Sequence, residues 1–211
     1  MRMRKKKWAL PFLQEHSEVA LQNPIHLKSR WNTVSDQRPI HLEIGVGKGG
    51  YINQMALQHP DAFWVGIEKD VNVVCIAVKN FLNQENDNEL FITNDASELE
   101  QWFDKGEIDV IHLNFSDPWP KKGYRKRRLS SDGFVSKYHD ILKENGKIIL
   151  KTDNKILFEF SVVEILKLYF VLEEISVDFR REEHQEDAIT EYEAKFMALN
   201  QPIYRAIFKK I

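Results

Sequence analysis

The sequence predicts an α/β fold on a mainly parallel sheet, and three observations carry that prediction. Short apolar runs of strand character alternate with helical patterns of about 10–15 residues. A glycine-rich turn follows an early run, and acidic residues recur where the runs end. In such sheets ligands bind outside the carboxyl ends of the strands, so these observations also say where chemistry should sit.

Along the chain, roughly the first 35 residues read as irregular or helical, with Trp8, Phe12, Trp31 and Asn23-Pro24 as landmarks. Pro39–Ile44 reads as the first strand because it is apolar and ends at a glycine turn; a helix over roughly 48–58 follows. Phe63–Ile67 is a short continuous apolar run, as a buried parallel strand requires. Val71–Leu82 has helical spacing, Leu90–Thr93 is a third strand, and a short helix near 97–103 precedes a fourth strand, Ile108–Asn114. A loop rich in proline and basic residues runs from Phe115 to about Ser131, then Phe134–Leu142 has helical spacing. Asn145-Gly146 reads as a turn before a fifth strand, Lys147–Leu150. Ile156–Leu168 is an amphipathic helix whose neighbouring aromatics, to 170, read as core. Phe170–Val177 is a sixth strand, and an acidic loop with a short helix leads to a last strand, Ile203–Phe208. The final two strands lack an obvious crossover helix, so at least one is expected to run antiparallel.

A chain of 211 residues, 43% hydrophobic and 29% charged, can bury a large core and fits one domain over 1–211. Its additions are a basic N-terminal extension (about 1–35) and a basic loop (about 115–131). One cysteine excludes a disulfide framework and a Cys-rich zinc site. The longest apolar-looking stretch, Ile156 to Ile175, is broken by Glu159, Glu164, Lys167, Glu173 and Glu174 and cannot span a bilayer. Behind the basic start, Trp8–Leu13 is too short for a signal peptide, so a cytoplasmic protein is expected.

The net charge of −2 conceals a sharp partition. Residues 1–7 hold five Lys or Arg and residues 121–128 hold six, with no acid in either run. The remaining 19 basic residues face 32 acidic ones. Two compact basic patches on an acidic body suit a phosphate-rich polymer, since each neutralised phosphate releases counterions. A solvated basic loop and tail is the plainer alternative.

After the first strand stands Glu43-Ile-Gly-Val-Gly-Lys-Gly-Gly50. Gly45, Gly47 and Gly50 also satisfy G-x-G-x-x-G, which leaves a dinucleotide open, whereas Lys48 lacks the Ser or Thr of a P-loop. Glu68 follows the second strand, about 20 residues downstream, where a carboxylate can hold both ribose hydroxyls. Asn94-Asp95, Ser116–Pro120 and Thr152-Asp-Asn154 follow the next three strands. Acids repeated at strand ends are not explained by sheet stability. With Lys48 the sole base near the glycines, a positively charged ligand is favoured over a pyrophosphate. S-adenosylmethionine, with its ammonium, sulfonium, ribose and adenine, would use Glu43, Glu68 and Asp95. Acids that merely cap the following helices are the alternative at any single site.

Asp117-Pro-Trp-Pro120 is the sharpest signal. Two prolines stiffen a strand-end loop and present a carboxylate beside a flat indole, an arrangement suited to a nucleobase. Lys121, Lys122, Arg125, Lys126, Arg127 and Arg128 follow at once.

Over nearly its whole length the chain resembles the bacterial tRNA (guanine-N7-)-methyltransferases. The resemblance rests on Leu113-Asn-Phe-Ser-Asp-Pro-Trp-Pro-Lys-Lys122, Lys126-Arg-Arg-Leu129, Lys151-Thr-Asp-Asn154 and Thr190-Glu-Tyr-Glu193. Arg2-Met-Arg4, Trp31-Asn-Thr33 and Gln201–Arg205 agree with it. It implies a Rossmann-like class I methyltransferase fold, a mostly parallel seven-stranded sheet with an antiparallel last strand and helices on both faces. It implies methyl transfer from S-adenosyl-L-methionine to N7 of guanosine 46 in the tRNA variable loop. By motif match, Glu43, Glu68, Asp95 and Asp117 fall on cofactor-binding positions, with Gly45 and Gly47 in the loop, and Asp117 is also the catalytic candidate. Lys121, Asp153, Thr190, Glu191, Tyr192 and Glu193 fall on substrate-binding positions. Gly123, Tyr124, Arg125, Lys126, Arg127 and Arg128 fall on an RNA-contacting loop. One stretch departs: the family usually carries Arg-His where this chain has Gly123-Tyr124, so no role that needs that histidine transfers.

Guanine N7 has a free lone pair, so attack on the methyl group needs no base. Asp117 and Asp153 are assigned to gripping the guanine, with 190–193 closing over it. tRNA is the expected partner, with no membrane and no obligate protein partner. Cys75 reads as buried packing, and no histidine has metal-ligand spacing, so no metal is expected. Glu182, Glu183, Glu186 and Asp187 read as a solvated loop. Three rivals stay open: a methyltransferase acting on an exocyclic base amine, an RNA-binding module with a degenerate cofactor site, and, most distantly, a nicotinamide oxidoreductase.

Overall fold

A computed structural model of the chain describes residues 5–211. Most of the 1–7 basic run, Arg2-Met-Arg4 included, lies outside the described residues. The chain folds as two compact units, one ending at Phe103 and the other running from Asp104 to Ile211.

The first unit holds α1 (Ala9–Glu15), β1 (Ala20–Leu21), α2 (Trp31–Val34), β2 (Ile40–Ile44), α3 (Gly50–Gln58), β3 (Phe63–Ile67), α4 (Val71–Phe81), β4 (Glu89–Ile92) and α5 (Leu99–Trp102). Its strands lie in the order β1-β4-β3-β2, every neighbouring pair parallel. Each residue of β3 is buried, which is why its sequence reads as an unbroken apolar run. Helix α4 starts where the Asp70 carboxylate accepts the Asn72 amide at 2.9 Å. The described part of the N-terminal extension is packed structure. Trp31 is fully buried, stacks on Phe103 at 4.9 Å and donates its indole N–H to the Trp102 carbonyl at 2.8 Å. Lys6 binds Asn72 at the start of α4 through its amide to Oδ1 and its ammonium to the carbonyl, both at 2.7 Å.

The second unit holds β5 (Ile108–Asn114), α6 (Asp132–Ile141), β6 (Leu142–Thr152), α7 (Lys155–Ile165), β7 (Phe170–Ser176), α8 (Glu191–Ala198) and β8 (Tyr204–Lys210). Its strand order is β5-β6-β8-β7. β5 and β6 are parallel, while β8 runs antiparallel to both β6 and β7, as expected for the last strand.

Three expectations need correction. The described residues contain eight strands, not seven: Ala20–Leu21 adds to the edge at β4, where Val19 and Leu21 carbonyls accept the Phe91 and Thr93 amides at 2.8 Å. Two residues are too few to show a period in sequence. The fifth strand begins at Leu142 rather than after a turn, and the register shift between Ile108 and Val110 places Asn145, at φ 65°, in an irregularity within β6. Helix α7 ends at Ile165, and Tyr169, 70% exposed at φ 57°, is not core although Phe158 and Phe170 are.

Candidate functional site

In the first unit, Glu43 is buried near the end of β2, where the chain turns into the glycine loop. Gly45 and Val46 donate their amides to the Ile67 carbonyl at 2.8 and 3.2 Å, folding the loop back over the end of β3. Gly45, Gly47 and Gly49 all have positive φ, yet they do different work. A Cβ at Gly49 would sit 2.6 Å from Asn53 Oδ1 and 2.7 Å from the Ala77 Cβ, so this glycine lets α3 approach α4. A Cβ at Gly45 or Gly47 would meet nothing within 4 Å. Those two positions leave open space against bare backbone, as a ligand needs.

Glu68 follows β3 and turns its carboxylate onto that loop, accepting the Gly47 amide at 3.3 Å and the Asp70 amide at 3.0 Å. Burial outweighs these amides and raises its pKa above the ordinary value. Beyond β4, Asp95 accepts the Ser97 amide at 2.9 Å and lies 3.4 Å from Lys69 Nζ. Burial pushes Asp95 up, but the Ser97 and Lys69 contacts together hold it below the ordinary carboxylate value. Asp95 thus also caps a short 3-10 turn, Ala96–Glu98, so capping and ligand-binding readings meet in one residue.

In the second unit, β5 feeds the Asp117 loop through two non-glycine residues in left-handed backbone, Phe115 (φ 49°) and Trp119 (φ 41°). Such conformations persist only when the surroundings enforce them. The Phe115 amide donates to the Lys151 carbonyl at 2.8 Å. Arg128 clamps the far end, giving Nε to the Pro118 carbonyl at 2.8 Å and Nη2 to the Trp119 carbonyl at 3.2 Å, with its guanidinium 4.3 Å from the Phe160 ring centre. Asp117 remains exposed between these anchors. Arg128, expected among the RNA contacts, is only 3% exposed and holds the loop instead.

The other expected contacts, Gly123, Tyr124, Arg125, Lys126 and Arg127, are exposed, as is Lys121; residues 122–127 form a 3-10 turn. Arg127 lies 5.1 Å from the Trp119 ring and 4.7 Å from the Tyr124 ring, themselves edge to face at 5.9 Å. Tyr124 therefore serves as an aromatic prop for Arg127.

Asp153, just after β6, is half-buried, and burial raises its pKa despite the opposing charge of Lys195. The 190–193 segment divides. Thr190 and Glu193 form a capping box for α8: Thr190 Oγ1 accepts the Glu193 amide at 2.9 Å and Glu193 Oε2 accepts the Thr190 amide at 3.1 Å. Both are buried, whereas Glu191 and Tyr192 are exposed. The Tyr192 and Phe196 rings lie 6.4 and 6.3 Å from that of Phe115, each inclined by 15°. This aromatic layer went unread in the sequence, although Tyr192 and Phe196 stand one helical turn apart on α8. Asp187, read above as solvated, is also corrected: its side chain is 7% exposed and lies 2.6 Å from Lys151 Nζ and 2.5 Å from Arg180 Nη2. Cys75 is fully buried in α4, as its surroundings in sequence indicated.

Residues 37–206 match a family model described as "Putative methyltransferase". Among curated proteins, the tRNA (guanine-N(7)-)-methyltransferases of Bacillus velezensis and Bacillus subtilis are each 44% identical over 207 residues. These alignments cover 98% of this chain and 95% and 97% of the relatives. That of Oceanobacillus iheyensis is 41% identical over the full length of both chains. Among solved structures, the 16S rRNA methyltransferase KamB aligns with a TM-score of 0.65 at 10% identity, over 86% of this chain and 93% of its own. An antibiotic-related methyltransferase aligns at 0.60 with 16% identity, over 86% and 92%. The structural likeness is one of fold.

Proposed function

We propose, from the premise that the chain belongs to the tRNA (guanine-N(7)-)-methyltransferase family, that it methylates N7 of a guanosine in tRNA. The guanosine is that at position 46 of the variable loop, the methyl donor is S-adenosyl-L-methionine, and the protein works in the cytoplasm with tRNA as its partner. Among the described residues no helix is long and apolar enough to cross a membrane.

The residues of the first unit fit that donor. Open space over Gly45 and Gly47 admits a ligand against the backbone. Buried Glu43 suits an ammonium, Glu68 a pair of ribose hydroxyls, and Asp95 the amine of an adenine. When bound, S-adenosylmethionine supplies an electrophilic methyl carbon on a sulfonium. The protein's task on the guanine side is placement, because N7 already carries its lone pair and orientation alone contributes several kcal/mol. Asp117 and Asp153 accept guanine N–H groups and offset positive charge that moves onto the base. Tyr192 and Phe115 offer aromatic faces for the base to stack on. Burial of Asp153 strengthens its grip, since a carboxylate removed from water discriminates more sharply between paired and unpaired donors.

The observation that carries this reading is the Asp117 loop: an exposed carboxylate on backbone fixed by Arg128 and by the Phe115 amide, beside an aromatic layer. Nucleoside mass spectrometry of undermodified tRNA incubated with protein and S-adenosylmethionine tests it. 7-methylguanosine is the expected product. A different methylated base would move the chemistry to an exocyclic amine, and cofactor binding without any methylation of tRNA would remove tRNA as the substrate.

The exposed part of the 3-10 turn should carry the phosphate contacts. Replacing Lys122, Arg125 and Lys126 together with alanine is expected to weaken tRNA binding and to make the slope of log K against log salt shallower by about 2. Binding isotherms at a series of salt concentrations measure this, and an unchanged slope would take the turn out of the interface. Arg128→Ala should act differently, lowering turnover through a loosened Asp117 loop.

A further inference from the structure

We infer that Lys151, completed by Arg180 and Asp187, is a positioning residue that assembles the guanine-binding side of the second unit; this rests on the function proposed above. Lysine is almost never fully buried without a partner. Lys151 is 0% exposed on β6, and its ammonium lies 2.6 Å from Asp187 Oδ2 and 3.2 Å from Glu193 Oε2. Arg180 closes the square, with Nη2 at 2.5 Å from the same Asp187 oxygen and Nε at 2.6 Å from Glu193 Oε1. Two cations and two anions, each with a side chain no more than 7% exposed, balance to zero net charge.

Three segments meet at this one lysine. Its carbonyl holds the Phe115 amide, two residues before Asp117. Its own strand ends at Thr152, with Asp153 next in the chain. Its ammonium holds Glu193, which also accepts the Thr190 amide at the start of α8 and thereby fixes exposed Tyr192. Arg180 adds bonds to the carbonyls of His184, Asp187 and Ala188, so the loop leading to α8 is pinned along its length. The Lys151 side chain thus holds the segment that presents Thr190, Glu191, Tyr192 and Glu193, while its main chain lies between the Asp117 loop and Asp153.

Stability alone does not call for such a cluster, because well-packed apolar residues serve as well or better in a buried position. What buried charges add is direction: each bond fixes a distance and an angle. Methyl transfer is sensitive to that, since a misplacement of about 1 Å can cost on the order of 100-fold in rate.

The test compares the parent chain with Lys151→Met, Lys151→Arg and Asp187→Asn in single-turnover methylation of tRNA. Alongside are run S-adenosylmethionine binding by calorimetry, tRNA binding and amide hydrogen exchange. For Lys151→Met the expected result is a rate about 100-fold lower, with both affinities within about threefold of the parent and faster exchange in 190–198. Lys151→Arg, which keeps the charge, should recover at least about tenfold of the rate, and Asp187→Asn should lose about tenfold. If Lys151→Met does not fold, Asp187→Asn, equal in volume, decides alone. A folded Lys151→Met or Asp187→Asn with the parent's rate would overturn the inference while the parent's 7-methylguanosine keeps the proposed function standing. No 7-methylguanosine from the parent would bring down both.

Discussion

Replacing Asp117 with asparagine is expected to lower the single-turnover rate of 7-methylguanosine formation by about 10²–10³-fold and to leave the melting temperature unchanged. The two halves of that expectation have separate causes. Asp117 is exposed and lies in a loop whose shape is set by other residues: Arg128 on the Pro118 and Trp119 carbonyls, and Lys151 on the Phe115 amide. Asparagine has the same size, so the loop keeps its course. The lost charge matters in two ways. A carboxylate is acceptor-only and matches the N–H donors of a guanine edge, whereas an amide sets a donor against one of them. As N7 gains a methyl group, the ring becomes positive, and a fixed negative charge stabilises that state more than the ground state. A loss confined to the rate at saturating tRNA identifies transition-state stabilisation. A raised KM with an unchanged rate would reduce Asp117 to a ground-state contact, and a near-parental rate at saturating tRNA would end the assignment.

The legible parts of this molecule were those that follow from chain periodicity. β3 and β5 were read to the residue, at Phe63–Ile67 and Ile108–Asn114, the first because a buried parallel strand reads as a continuous apolar run and the second from the apolar Ile108, Val110, Ile111 and Leu113. Once strands are placed, the strand-end rule leads directly to Glu43, Glu68, Asp95, Asp117 and Asp153. What stayed hidden depends on side-chain direction in irregular backbone. The six basic residues within 121–128 look alike in sequence, yet Arg128, at the end of a 3-10 turn, points onto Phe160 and the loop carbonyls while Arg125 and Lys126 are exposed. Asp187 reads as one more acid in a hydrophilic loop, and its burial needs Lys151 and Arg180, 36 and 7 residues away along the chain. A lysine in a strand is assigned to solvent by default, so Lys151 gave no sign of its partners. Thr190-Glu-Tyr-Glu193 is partly legible: a Thr followed by Glu three residues later marks a helix start as well as a family motif, and here both meanings hold.

The largest pH effect on folding is expected from Glu89, a residue with no part in the proposed chemistry. It opens β4 beside Trp64 of β3, is 2% exposed, and one of its carboxyl oxygens accepts from Asn86 Nδ2 at 3.4 Å. Its other oxygen is buried with no hydrogen-bond partner. Burial pushes its pKa from 4.5 to about 8, opposed by the hydrogen bond from Asn86 and helped, to a lesser extent, by the like charge of Glu43. The folded chain therefore holds a proton here that the unfolded chain releases above its own, ordinary value. Stability from this group is fully present below about pH 4.5 and is lost as the pH rises towards about 8. Between pH 6 and pH 8 the loss amounts to about 2 kcal/mol, equivalent to roughly 4–8 °C in melting temperature for a chain of this length. Glu68 and Asp153 are raised too and tilt the parent's curve the same way, so the informative quantity is the difference between parent and Glu89→Gln. Glutamine copies the neutral acid's shape and cannot ionise. Melting curves at pH 5, 6, 7 and 8 should show the variant gaining on the parent with each step, and a constant difference across that range would mean that Glu89 folds already charged.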